Sequence, residues 1–142
     1  MKLSIIAQGA EAIIYLNDKN NVVKDRIKKS YRIPELDNKI RKQRTKSEMK
    51  LLTKVSKIIN APKPEKSKNK FQILMPYING KKLSQHLDKF PLLKQKQILQ
   101  QIGKDVATLH DENIINGDLT TSNMILDDED SSDSQKHNLK LI

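Results

Sequence analysis

Hydrophobic and polar positions change period along the chain. Residues 3–6 and 13–16 are short apolar runs on either side of Gln8-Gly9-Ala10-Glu11-Ala12, which reads as a tight turn between two strands. Asn17-Asp18-Lys19-Asn20-Asn21 is a hairpin signal, and residues 22–26 form the third strand. Three strands joined by short turns predict an antiparallel sheet. The period then becomes helical: Leu36, Ile40, Leu51, Leu52, Val55, Ile58 and Ile59 recur at three-and-four spacing, so residues 34–59 are predicted to be a helix. Ala61-Pro62-Lys63-Pro64 ends it, because proline cannot continue a helix.

A polar turn follows, then an apolar strand over residues 71–75 that ends at Pro76, and a short helix over 83–87. The strongest helical signal is residues 91–111. Leu92, Leu99, Ile102, Val106 and Leu109 make an apolar stripe, and Pro91 sits at the N-terminal turn, where its missing N–H costs nothing. Residues 124–126 and 139–142 are predicted strands around the acidic, polar stretch 127–138, which reads as a loop. A sheet with one helix, then helices with a hairpin, is an α+β chain in two lobes, with residues 1–78 as the first and 79–142 as the second.

Composition narrows the function. The chain has 142 residues, 36% of them apolar, against about 45–50% in typical globular chains, so its core is thin and built of Ile and Leu. It has no Cys, hence no disulfide, thiol nucleophile or zinc–thiolate site, and its three His show no metal-ligand spacing. No apolar run approaches the ~20 residues of a membrane span, and no signal peptide opens the chain, so a soluble, intracellular protein is expected. The net charge is +10, and it is uneven: residues 24–70 hold 17 Lys and Arg against five acids, a net of +12. Such a segment can lie along nucleic-acid phosphates or simply be a solvated face. Five aromatic residues are too few for a base-stacking module.

The chemistry concentrates in Gly117-Asp118, four residues, then Asn123, placed after the long helix and before an apolar strand. Protein kinases carry an Asp here to accept the substrate hydroxyl proton, and an Asn five residues later to hold magnesium. Two further residues stand in the required order. Lys24 lies on the third strand, where a kinase places its phosphate-binding Lys, and Glu48 lies in the following helix, where a kinase places the acid that pairs with it. Taken singly, Lys24 is one surface Lys among many and Glu48 an ordinary i,i+4 partner of Arg44. Together with Asp118 they point to a kinase.

With these residues assembled, the chain resembles the family of small atypical serine/threonine kinases of the KEOPS (EKC) complex. The matching segments are Gln8 to Ala12, Val23-Lys24-Asp25-Arg26, Lys29-Ser30-Tyr31-Arg32-Ile33-Pro34-Glu35-Leu36-Asp37, Arg44-Thr45-Lys46-Ser47-Glu48, and Gly117 to Asn123. The Tyr-Arg-x-Pro segment separates it from ordinary kinases and from aminoglycoside phosphotransferases. The resemblance implies a protein-kinase-like bilobal fold, with an N-lobe of antiparallel sheet plus one helix and an incomplete, mainly helical C-lobe. It implies ATP and Mg2+ as cofactors, with Asp118, Lys24 and Glu48 catalytic. Gly9, Glu11, Lys24, Met75, Pro76 and Ile78 would meet the nucleotide, Met75 as gatekeeper and 76–78 as hinge, and Asn123 would hold the metal. The implied partners are the complex's threonylcarbamoyl-transferase subunit and its small regulatory subunit, with tRNA offered the basic surface, in the cytoplasm and nucleus.

Departures, first from ordinary kinases and then from the family, sharpen these expectations. The phosphate turn has one glycine, Gly9, and an acid, Glu11, which suggests slow turnover. Gly117 replaces the Arg that would grip an activation-loop phosphate, so that switch is not expected. In the family, Leu-Ile precedes Asp-Phe-Gly, whose Asp binds magnesium; the sequence ends at Leu141-Ile142. A C-terminally truncated, poorly active kinase or ATPase supporting threonylcarbamoyl-adenosine modification of tRNA is therefore expected, and a non-catalytic, basic tRNA- or partner-binding fragment is the alternative.

Overall fold

A computed structural model describes residues 4–115, 120–127 and 139–141. They divide into two compact units, one of the described residues up to 54 together with 63–77, the other of 55–62 together with those from 78 onward.

The first unit is an antiparallel five-stranded sheet with a helix. Its strands are β1 (Ser4–Gln8), β2 (Ala12–Leu16), β3 (Asn21–Arg26), β4 (Glu65–Lys66) and β5 (Gln72–Pro76), in the order β1-β2-β3-β5-β4. Asparagines make the β2–β3 turn. Asn17 Oδ1 accepts from the Lys19 and Asn21 amides, and Asn20 takes φ 58°, a left-handed conformation that asparagine tolerates. Ala12, Val23, Ile73 and Met75 are the buried apolar side chains of this unit. β4 is two polar residues, Glu65 and Lys66, with no apolar alternation to announce it; it exists because it pairs with Leu74 and Ile73 of β5.

Helix α1 (Pro34–Ile58) opens as its sequence requires, with a proline in its first turn and Glu35 and Asp37 beside the positive end of the helix dipole. Its burial is not the apolar stripe that spacing predicts. Leu36 and Leu51 are exposed, and the buried positions are Asp37 and Thr45. Polar interactions, not an oily seam, fix this part of the helix.

The second unit contains β6 (Gly80–Lys82), α2 (Leu83–His86), a 3-10 turn at Leu87–Lys89, α3 (Leu92–Asp111), a 3-10 turn at Thr121–Asn123, β7 (Met124–Asp127) and β8 (Leu139–Leu141). β6, β7 and β8 form an antiparallel sheet in that order. Ile59, Leu83, Ile98, Leu109, Ile114, Met124 and Leu126 form its core, with Val55 and Ile58 from the end of α1 packed against them. On α3 the buried stripe is Ile98, Asp105 and Leu109, whereas Leu92 and Leu99, predicted to face inward, are exposed. Asn113 at φ 58° closes the helix, placing the Ile114 amide on the Leu109 carbonyl at 2.8 Å. Among the described residues no helix is long and apolar enough to cross a membrane.

Candidate active site

Side chains two apart on a strand share a face, so Lys24 and Arg26 both project from one side of β3. Glu48, 24 residues beyond Lys24 on α1, meets both. Its Oε1 accepts from Lys24 Nζ at 2.5 Å and its Oε2 from Arg26 Nη2 at 2.5 Å. One carboxylate thus uses both oxygens on two cations that are partly shielded from solvent, where such charge-assisted bonds are strongest. Arg44, one turn before Glu48, does not compete for it. Its Nη1 donates to Glu11 Oε2 in the β1–β2 turn at 2.8 Å. The structure therefore brings Lys24 to Glu48 and leaves Arg44 another partner.

A second ionic cluster fixes where α1 begins. Asp37 is fully buried. Its Oδ2 accepts from Arg41 Nε at 2.7 Å, and its Oδ1 takes the Lys29 amide at 3.2 Å, with Arg32 Nη1 3.5 Å away. Burial opposes ionisation of this carboxyl, but the Lys29 amide, Arg41 and Arg32 outweigh it and hold Asp37 below the usual carboxylate range. The guanidinium of Arg41 also stacks on the Phe71 ring, 3.9 Å from its centre. Residues 29–37 are thereby tied to the helix that carries Glu48.

The other residues named from the sequence are described unit by unit. Gly9 donates its amide to the Ala12 carbonyl at 2.9 Å, and a Cβ added there would meet only that oxygen, at 3.8 Å, so the turn's own geometry does not demand glycine. Met75 is buried on β5 opposite Val22, and Pro76 is exposed opposite Asn21. The division between units falls after Tyr77, which places Ile78 in the second. Asn123 ends the 3-10 turn there, its amide on the Thr120 carbonyl at 3.0 Å. Asp118 and Gly117 lie outside the described residues.

Spacing alone did not single out Arg26, Arg32, Asp37 or Arg41. The readable signals were the i,i+2 relation of Arg26 to Lys24 and the i,i+4 relation of Arg41 to Asp37. Among the described residues, no group of three His, Asp or Glu side chains could hold a metal ion.

A lysine of the third strand paired with an acid of the following helix is the arrangement that positions nucleotide phosphates in protein kinases, and the model for the protein kinase domain matches residues 2–142 of this sequence. The chain belongs to the protein kinase domain family. Its kinase domain is 40% identical over 135 residues to the KEOPS complex subunit Bud32 of Pyrococcus abyssi, a match covering 87% of this chain and 61% of that protein. It is 39% identical over 137 residues to the EKC/KEOPS complex subunit BUD32 of Enterocytozoon bieneusi, covering 88% of this chain and 66% of the relative. It is also 43% identical over 129 residues to a "Probable bifunctional tRNA threonylcarbamoyladenosine biosynthesis protein" of Methanobrevibacter smithii, covering 87% of this chain and 22% of that much longer one. The chain thus spans under two thirds of the length of the first two relatives.

Proposed function

We propose that this kinase domain binds ATP and transfers its γ-phosphoryl group, to a Ser/Thr hydroxyl or to water, in a KEOPS-type complex serving threonylcarbamoyladenosine modification of tRNA. The observation that carries this reading is the ion pair of Lys24 with Glu48 at 2.5 Å, joining β3 to α1. An ammonium held by a carboxylate is pre-aimed, and phosphoryl transfer depends mainly on positioning and on charge stabilisation. In this reading Lys24 grips the phosphates, Glu48 orients Lys24, and Asp118 takes the proton of the attacking hydroxyl. Asn123 contributes to holding Mg2+, Gly9 lets backbone approach the phosphates, and Met75 to Ile78 border the adenine. When bound, Mg2+ offsets the charge that develops on the phosphoryl oxygens. The partners in this reading are the threonylcarbamoyl-transferase and small regulatory subunits, in the cytoplasm and nucleus.

Turnover of γ-labelled ATP by the protein tests it. Asp118→Asn is expected to lower the rate by about a hundredfold or more; an unaltered rate would remove Asp118 from its role. Co-purification with the transferase subunit tests the assembly.

A second reading, docking of RNA phosphates, is favoured by a particular feature of α1. Lys39, Lys42, Lys46 and Lys50 are all exposed and follow one another at three or four residues, so they line one face of the helix, turned away from Glu48. Like charges at that spacing repel, and a polyanion would relieve them. Binding of tRNA should then weaken steeply with salt, and changing these four lysines to Gln should flatten the slope by about three. An unchanged slope would count against this surface.

A further inference from the structure

The β1–β2 turn, which meets the nucleotide phosphates in the reading above, carries an acid. A free carboxylate beside phosphates would oppose their binding, yet Glu11 is not free. Arg44 Nη1 donates to its Oε2 at 2.8 Å, and Arg32 Nη2 stands 3.9 Å from its Oε1. The backbone of the turn is held as well: Lys29 Nζ donates to the Ala10 carbonyl, and the Ile27 amide to the Glu11 carbonyl at 3.0 Å. Arg44 is one helical turn from Glu48, the commonest distance for a helix-surface ion pair. It reaches instead across to Glu11, while the oxygens of Glu48 accept from Lys24 and Arg26. One face of α1 therefore holds β3 through Glu48 and the phosphate turn through Arg44.

We propose that Arg44 is a positioning residue of the nucleotide site: it draws the Glu11 carboxylate against α1 and neutralises it, so that the turn presents backbone rather than negative charge to the phosphates. This rests on the nucleotide reading, and its test separates the two. Affinities for ATP and for adenosine, which lacks phosphates, are measured by calorimetric titration of the unmodified chain and of variants. Arg44→Gln is expected to weaken ATP about fivefold relative to adenosine, the scale of one unit charge at close range near solvent. Arg44→Lys, which keeps the cation, holds the unmodified ratio. Adding Glu11→Gln to Arg44→Gln restores that ratio.

A merely structural role would weaken both ligands alike, and deleting Glu11 would rescue neither. An unmoved ratio in Arg44→Gln or an absent rescue overturns the proposal. If the unmodified chain bound neither ligand, the nucleotide reading would fail first and take the positioning role with it.

Discussion

Two buried aspartates in this chain respond to burial in opposite ways, because only one has cations for company. Asp37 is paid for by Arg41, Arg32 and the Lys29 amide, and its carboxyl lies below the usual range. A depressed carboxyl contributes stability above its unfolded pKa, about 3.9, and that contribution is lost as pH falls through the lowered native value. Asp37→Asn should therefore lower the urea midpoint at pH 6 and make progressively less difference below pH 4. Asp105 lies on α3 with Gln101 Nε2 on its Oδ1 at 2.9 Å, while its buried Oδ2 has no partner among the described residues. Burial raises this carboxyl, with Gln101 partly opposing, so stability falls as pH rises from the unfolded value through the raised native one. Asp105→Asn, which preserves the Gln101 bond, should raise the melting temperature at pH 7 and leave it unmoved at pH 3. An unchanged midpoint at neutral pH would contradict this. The order of Lys24 and Glu48 was legible from sequence because motif and element agreed. The pairing of Asp37 with Arg32 and Arg41 was not, since a charged residue at an i,i+4 position looks the same whether it faces water or a buried partner.

At the scale of elements, period predicted which segments are helices and only part of the side that each buries. In α3 the predicted stripe of Leu92, Leu99, Ile102, Val106 and Leu109 is half met: Leu109 is buried and Ile102 packs against the core, whereas Leu92 and Leu99 are exposed and Ile98 and Asp105 are buried in their stead. Helical spacing leaves that freedom when leucines occur on several faces. α1 is the stronger case, because its two fully packed positions are a charge and a threonine. The shortest strands escaped notice for a different reason: β6 is Gly80-Lys81-Lys82, held in place by β7 and without any hydrophobic signal of its own. Gly80 is required there. A Cβ would stand 2.2 Å from the Leu126 carbonyl oxygen and 2.7 Å from Ile125 Cγ2, closer than atoms pack. Gly80→Ala should cost about 1–3 kcal/mol by overpacking, read from the urea midpoint. Gly9→Ala, where the added methyl meets only one oxygen at 3.8 Å, should leave stability within about 0.5 kcal/mol. If Gly9→Ala nevertheless weakens ATP binding, the glycine serves the ligand and not the fold.

For the whole molecule, the net charge of +10 and the thin apolar fraction acquire a structural meaning. Five of the 17 basic residues of 24–70 are held in ion pairs within the first unit. Lys24, Arg26, Arg32, Arg41 and Arg44 are committed to Glu48, Asp37 and Glu11. The exposed lysines of α1 are among those that a polyanion could meet. The kinase domain organises its first unit around these ionic contacts, and its second around a conventional Ile, Leu and Met core. If the first unit is built to hold nucleotide phosphates, Lys24 is the residue on which that depends. The decisive measurement is ATP binding, by calorimetric titration, to the chain and to Lys24→Ala, with adenosine as the reference ligand. ATP should bind the unmodified chain and lose about tenfold or more in affinity on removal of the ammonium, with adenosine little changed. Equal ATP affinity in the two proteins would contradict a phosphate-binding role for the Lys24–Glu48 pair.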